Sequence, residues 1–281
     1  MFKNQNDIVF DVIEERYKNL ITTLEQFISK VNENVSVEDI FNRIDCILIK
    51  LLILFTYENR LINKKTNRDF IKHIKAHELL LYDLVKVFKN EDVSSDDYLV
   101  VMGKLLDKIK KHFEKYNSSR DLNTIYMSDI MGEKKYFGCI LFVVCEYGFF
   151  IKVYGETNQE LLSEMITRAN GYREHFFDEN VEWGEVIDFR NWKLMTNDSM
   201  VLAKKNTDSA RKRNKKYTLY MTGDSKINEY ITKSISIEAE IFTMNTENLF
   251  HTLQVMKQNS LKLGNVITID SIGDLSFVEE C

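Results

Sequence analysis

Four ionisable residues lie on the faces of predicted helices that should pack into an apolar core. His73 and His77 are four residues apart in Phe-Ile-Lys-His-Ile-Lys-Ala-His-Glu, so both project from one face of a helix. His112 begins His-Phe-Glu-Lys-Tyr-Asn further along the chain, and Glu58 lies earlier, in Leu-Phe-Thr-Tyr-Glu-Asn. Burial of such groups is costly unless they are paired or bound to a metal. Imidazoles with a carboxylate suit Zn(II) or Fe(II).

Four segments with helical periodicity contain these residues. In each segment, core-facing side chains recur at intervals of three and four, which predicts one buried face per helix. The four stripes are Ile13, Tyr17, Leu20, Leu24, Phe27 and Val31; Ile40, Ile44, Ile47, Leu51, Leu54 and Glu58; Phe70, His73, His77, Leu80 and Leu84; and Leu105, Ile109, His112 and Tyr116. Short polar connections favour an up-down-up-down four-helix bundle over residues 1–118.

The order and spacing of these residues resemble the hemerythrin family over about residues 8–118. That family has a lone His on its first helix, His-x-x-x-Glu on the second, His-x-x-x-His on the third and His-x-x-x-x-Asp on the fourth. This chain retains Glu58, His73, His77 and His112 at matching positions. The resemblance implies that the three histidines correspond to the ligands of one iron of the family's pair.

Three positions of this chain depart from the hemerythrin pattern. Tyr17 and Leu54 stand where the family has the histidines of the other iron, and Asn117 replaces the aspartate. An intact diiron site is therefore not expected. Two alternatives remain open: one metal ion, Zn or Fe, held by the three histidines with Glu58 near, or a metal-free polar network in which Glu58, Tyr17 and Asn117 hydrogen-bond the imidazoles.

The periodicity changes from helical to alternating after a polar stretch at residues 119–135, which we interpret as a linker. Residues 136–281 then alternate between strand and helix patterns, which predicts a small α/β domain with a mixed sheet covered by helices. The predicted strands are Cys139–Cys145, Phe149–Tyr154, Glu185–Phe189, Lys216–Met221, Ala239–Met244 and Asn265–Asp270. The predicted helices begin near Asn158, Asp198, Lys226 and Thr246.

This order of elements, around Trp-Gly-Glu-Val-Ile-Asp-Phe-Arg-Asn-Trp, resembles the STAS superfamily of anti-sigma-factor antagonists over residues 136–258. Those antagonists carry a phosphorylatable Asp-Ser at the start of the helix that follows this strand. Asp198-Ser199 stands close to that place, after a short insertion and without the following Ser-Gly. The resemblance implies Ser199 or Thr196 as a phosphorylation site, whereas a Ser at a helix start is also a common cap.

Composition narrows the class of protein. The 281 residues are 44% apolar and 29% charged, as in ordinary soluble proteins, and the formal charge of −5 gives no electrostatic argument for a nucleic-acid partner. The four cysteines form no Cys-x-x-Cys pair and are typical of reduced thiols. The apolar run Ile47–Phe55 is too short to span a membrane, and the N-terminus lacks a signal-peptide pattern. We therefore expect a cytoplasmic protein.

Together, these patterns predict a non-enzymatic regulatory protein. The bundle would sense or hold a metal, and the STAS-like domain would bind a protein partner. Two other functions remain open: an enzyme whose mononuclear non-haem iron acts on dioxygen or peroxide, and a metal-free interaction scaffold. No motif for phosphate binding or hydrolysis occurs in the sequence.

Overall fold

The computed structural model describes residues 5–30, 36–61, 72–82, 95–117, 136–178, 180–211, 213–222, 241–273 and 275–278. The chain divides into two compact units, which lie within Met1–Ile130 and Met131–Glu279. Helices form the described part of the first unit, and a mixed sheet with helices forms the second. This confirms the predicted fold class. The predicted linker at 119–135 lies outside the described residues, and its bounds stay a prediction.

The described part of the first unit contains four helices, α1 Gln5–Lys30, α2 Val37–Leu61, α3 at 72–82 and α4 Ser95–Asn117. The predicted stripe of α1 is buried from Ile13 to Phe27. Ser36 caps α2, because its hydroxyl oxygen accepts from the Asp39 N–H at 3.1 Å and its O–H donates to the Asp39 carboxylate at 2.7 Å. The segment in which the sequence places the start of α3 lies outside the described residues.

Contacts between the helices give their relative directions. Early residues of α1 touch late residues of α2 and α4, and later residues of α1 touch earlier ones, so α1 runs antiparallel to both. The contacting pairs are Arg16–Tyr57, Thr23–Lys50, Tyr17–Phe113 and Glu25–Lys110. Helices α2 and α4 run in the same direction, as the pairs Phe41–Tyr98 and Glu58–His112 show. Such directions are those of an up-down-up-down bundle.

The described part of the second unit contains a six-stranded sheet of order β5-β4-β3-β2-β1-β6. Strands β1 and β2 form an antiparallel hairpin, β3, β4 and β5 continue in parallel from β2, and β6 lies antiparallel on β1. The strands are β1 Gly138–Cys145, β2 Gly148–Thr157, β3 Trp183–Met195, β4 Lys215–Met221, β5 Phe242–Thr246 and β6 Val266–Gly273. The described helices are α5 Gln159–Phe176, α6 Asn197–Arg211 and α7 Leu249–Gln258, with a 3₁₀ turn at Leu275–Phe277.

Gly148 is the first residue of β2, directly after the hairpin turn that follows β1. Its φ of 152° is one that residues with a side chain rarely adopt, and a Cβ there would lie 1.9 Å from the Gly184 carbonyl oxygen. Glycine at this position therefore allows β3 to pair with β2 from its first residues.

One face of the sheet packs against α5 and α6. The core on this face combines apolar strand residues with Leu161 of α5 and Ala210 of α6. Asn158 caps α5, since its side-chain oxygen accepts from the Leu161 N–H at 3.0 Å. The larger apolar residues of this core are Phe142, Phe149, Ile151, Trp183, Phe189, Trp192 and Tyr220.

The end of the sheet differs slightly from the sequence prediction. Strand β5 extends to Thr246, which pairs with Met221 of β4, so the following helix begins at Leu249 rather than Thr246. The physical reason is the cap: the Asn248 side-chain oxygen accepts from the His251 N–H at 2.9 Å. The helix predicted at 226–235 lies outside the described residues.

Candidate metal centre

Three helices bring Glu58 and the three predicted histidines together in the interior of the bundle. Glu58 comes from α2, His73 and His77 from successive turns of α3, and His112 from α4. All four side chains are buried, with at most 6% of any one residue exposed. One ligand atom from each residue can be chosen so that all four lie within 4.8 Å of one another. The helical stripes thus place these residues as the sequence predicts.

The three imidazoles meet at a single carboxylate oxygen. Oε2 of Glu58 lies 2.7 Å from Nε2 of His77, 3.3 Å from Nε2 of His112 and 3.4 Å from Nε2 of His73. The Nε2 atoms of His77 and His112 are 3.2 Å apart. The same nitrogen of each ring therefore faces the centre of the cluster.

Aromatic packing fixes the orientation of the rings. Phe55, one turn before Glu58 on α2, stacks on His77 with ring centroids 3.9 Å apart and planes 12° apart. His73 meets His77 edge-on at 4.2 Å. Phe55 was not predicted from the sequence to be part of the site. Its position three residues before Glu58 nevertheless puts it on the same side of α2.

The cluster favours an ionised Glu58 and a neutral His77. Burial raises the pKa of Glu58, but hydrogen bonds with His112, His73 and His77 outweigh burial and hold this pKa well below its usual range. For His77, burial lowers the pKa to about 4, even though the Glu58 carboxylate acts to raise it. Near neutral pH His77 is thus a neutral imidazole, which can offer the lone pair of Nε2 to a metal when its proton lies on Nδ1.

Tyr17 forms a hydrogen bond with the second carboxylate oxygen of Glu58. Its hydroxyl donates to Oε1 at 2.7 Å, and Tyr17 is 1% exposed. The Tyr17 ring lies 4.6 Å from that of Phe113 on α4, so three helices meet at this hydrogen bond. A hydrogen bond to a buried charged acceptor contributes about 1.5–3 kcal/mol.

Leu54 and Asn117 are the other two positions at which the chain departs from the hemerythrin pattern. Leu54 is buried and supplies no donor atom to the cluster. Helix α4 ends at Asn117, whose side chain lies outside the described part of the structure.

The donor set fits a single transition-metal ion. Three imidazole nitrogens and a carboxylate oxygen are ligands that Zn(II) and Fe(II) accept. A neutral imidazole has one N–H, so two facing Nε2 atoms form a hydrogen bond only when one is protonated and the other is not. A cation between them satisfies lone pairs on all three rings. The far nitrogen of His77, Nδ1, is buried and has no hydrogen-bonding partner among the described residues.

Thr196 and Ser199, the predicted phosphorylation sites, lie at the start of α6. Their hydroxyl oxygens are 2.7 Å apart, and the Ser199 N–H lies 3.4 Å from the Thr196 hydroxyl oxygen. Ser199 is fully buried, whereas Thr196 is exposed. The arrangement is that of a helix cap. Phosphorylation of either residue stays a prediction.

A second buried charged cluster lies in the sheet and was not predicted. Lys152 of β2 and Asp188 of β3 are register partners, and Lys152 Nζ donates to Asp188 Oδ2 at 2.5 Å. Arg190 also binds this carboxylate, through Nε at 3.0 Å and an Nη atom at 2.8 Å. The sequence signal was a charged residue inside each of two predicted strands, Lys152 within Phe149–Tyr154 and Asp188 within Glu185–Phe189.

Comparisons with known proteins do not assign a family. No protein-family model matches the chain, and no curated protein sequence matches it. No helix in the described ranges has both the length and the apolarity needed to cross a membrane.

Proposed function

We propose that this protein is a non-enzymatic regulator in which a hemerythrin-like bundle holds one metal ion and a STAS-like domain binds a protein partner. The observation that carries the proposal is the convergence of three imidazole Nε2 atoms on Oε2 of Glu58 inside a buried core. In a metal-bound form, His73, His77, His112 and Glu58 would be the ligands, and the ion would supply a fixed positive charge that joins α2, α3 and α4.

The residues around the cluster support one metal rather than two. At the positions of the hemerythrin family's other histidines, Tyr17 donates to Glu58 and Leu54 is apolar. Four protein donors also fill a tetrahedral coordination shell, which is typical of structural zinc sites, whereas catalytic sites keep one position open. This difference favours a regulatory or structural ion over an enzyme that activates dioxygen or peroxide.

The role of the second unit in binding a partner rests on the STAS-like order of elements. A hairpin followed by parallel strands, with α5 and α6 joining β2, β3 and β4, agrees with that resemblance. The formal charge of −5 suits a protein partner better than a nucleic acid.

A metal-free scaffold is the second candidate function, and a specific observation favours it. Histidines that bind metals usually donate their other ring N–H to an acceptor, and the described residues offer none to Nδ1 of His77. In this alternative, Glu58 is balanced by its hydrogen bonds to Tyr17 and the imidazoles alone.

Metal analysis of the full chain, purified without a histidine tag, tests the proposal. We expect up to one equivalent of zinc or iron per chain, and one equivalent after anaerobic titration with Zn(II) or Fe(II). Two tightly bound irons with an oxo-bridged absorption spectrum would contradict the single site. Absence of any binding would support the scaffold, and turnover of peroxide by iron-loaded protein would support the enzyme.

A further inference from the structure

The two oxygens of Glu58 have different partners. Oε1 accepts the Tyr17 hydroxyl at 2.7 Å, whereas Oε2 faces Nε2 of His73, His77 and His112. We propose that Tyr17 is a positioning residue that reserves Oε1, so that Glu58 offers a metal one oxygen only. The site would then be a four-donor N₃O site that favours Zn(II) over Mn(II) and Mg(II). This inference rests on the proposed metal site and specifies how that site chooses its metal.

The position of Tyr17 is fixed independently of Glu58. Its ring packs on Phe113 of α4, and the residue is 1% exposed, so the phenol cannot turn out to water without opening the core. If Glu58 rotated to present both oxygens, the buried Tyr17 hydroxyl would lose this partner. Breaking a buried hydrogen bond to a carboxylate is unfavourable, so this hydrogen bond resists bidentate binding.

Binding through one oxygen of Glu58 favours metals that accept four ligands. Zn(II) is satisfied by four nitrogen and oxygen donors, whereas Mn(II) and Mg(II) prefer six-coordinate, oxygen-rich sites. A hydrogen bond that holds a ligating carboxylate in place also contributes to metal affinity, typically by 10- to 100-fold. Tyr17 would therefore act on both affinity and selectivity without touching the ion.

The test compares Tyr17→Phe with wild type in the full chain. The variant keeps the ring that packs on Phe113 and removes only the hydroxyl. Tyr98→Phe is the matched control, because Tyr98 is also a buried phenol and lies on the same helix as His112, about 20 Å away along the axis. Zn(II) affinity is measured by competition with a chromophoric chelator, and coordination by the visible spectrum of the Co(II)-loaded protein.

We expect Tyr17→Phe to bind Zn(II) about 10- to 100-fold more weakly than wild type, with Tyr98→Phe unchanged. Its Co(II) spectrum should lose the intense bands of a four-coordinate ion and gain the weaker bands of higher coordination. Equal affinities and equal spectra for the two variants would overturn the inference while leaving the metal site intact. A wild type that binds no metal would instead overturn the proposed function, and this inference with it.

A measurement on wild type alone decides the matter if Tyr17→Phe fails to fold. X-ray absorption at the zinc edge of the loaded protein should give a first shell of four nitrogen and oxygen donors, with the outer-shell scattering of three imidazoles. A second carboxylate oxygen in the coordination shell would contradict the proposed role of Tyr17.

Discussion

At the scale of single residues, Glu58 organises the interior of the bundle. One oxygen takes the Tyr17 hydroxyl and the other faces three imidazoles. With or without a metal, the carboxylate provides the negative charge around which these side chains gather. The histidines are consequently not equivalent: Nε2 of His77 lies closest to Oε2, and Phe55 stacks on its ring.

Replacing His77 by Ala separates the metal-bound and metal-free alternatives. If a metal is bound, losing one of three imidazoles removes much of the affinity, and the protein loses the stability that binding adds. The melting temperature should fall, and chelator should change the variant no further. If the site is a polar network, we expect a loss of about 1–3 kcal/mol in the free energy of unfolding and no effect of chelator on wild type.

The control for this variant is His175→Ala, since His175 is an exposed histidine of the second unit. It should leave both the melting temperature and the response to chelator unchanged. A wild type whose melting temperature ignores chelator, Zn(II) and Fe(II) alike would decide for the metal-free scaffold.

At the scale of secondary-structure elements, a buried ion pair joins β2 to β3. Lys152 and Asp188 are each at most 1% exposed and lie opposite each other in the sheet register. Bringing two charges out of water is costly, so such a pair contributes to stability only while both partners are present. Arg190 is partly exposed and shares the carboxylate with Lys152.

Replacing Lys152 by Met should destabilise the second unit, because Asp188 would keep its buried negative charge but lose one of the two cations that the described residues place beside it. We expect a loss of about 3 kcal/mol in the free energy of unfolding by urea. Lys216→Met is the matched control, as Lys216 forms an exposed pair with Glu182 on the same sheet and should cost at most about 1 kcal/mol. Equal losses for the two variants would show that the buried pair has no special role.

The lowered pKa of Asp188 makes the stability of the second unit depend on pH. Burial raises the pKa of Asp188, but the charge of Lys152 and the hydrogen bonds from Arg190 outweigh it and lower this pKa below its usual range. The unfolded chain therefore binds the proton more readily. The stability due to Asp188 is complete above its unfolded pKa of about 3.9 and is lost as pH falls through the lower folded pKa.

Urea unfolding between about pH 5 and about pH 2 measures this contribution. Wild type should lose stability steeply as the solution is acidified. Asp188→Asn should start less stable and show a shallower dependence, because the titrating group is gone. Parallel pH curves for the two proteins would contradict the assignment to Asp188.

At the scale of the whole molecule, the chain consists of two compact units, which lie within Met1–Ile130 and Met131–Glu279. Each has its own core: helical stripes in the first and apolar strand residues with α5 and α6 in the second. Separate cores predict that either unit can be altered while the other keeps its fold.

Limited trypsin digestion of the full chain tests this division. We expect the first cleavage within the predicted linker at 119–135, at Arg120, Lys134 or Lys135, because a polar connection between compact units is the usual site of early proteolysis. Mass spectrometry of the first fragments identifies the bond. Early cleavage within 181–221 instead would argue against the predicted domain boundary.

The sequence alone determined the properties that depend on local geometry. Helical spacing placed His73 and His77 on one face and put Glu58 and His112 on the buried stripes of their own helices. The strands β1 to β4 were predictable for the same reason, since alternation and turn residues act over a few positions. The cap of α2 at Ser36 is equally local.

Tertiary structure decided everything that depends on which distant residues meet. The sequence could not show that the three imidazoles share Oε2 of Glu58 while Tyr17 takes Oε1, because this depends on how α1 to α4 pack. Nor could the sequence show that β6 pairs with β1 and forms one edge of the sheet. The pairing of Lys152 with Asp188 depends on strand register, which is set by the whole sheet rather than by either strand.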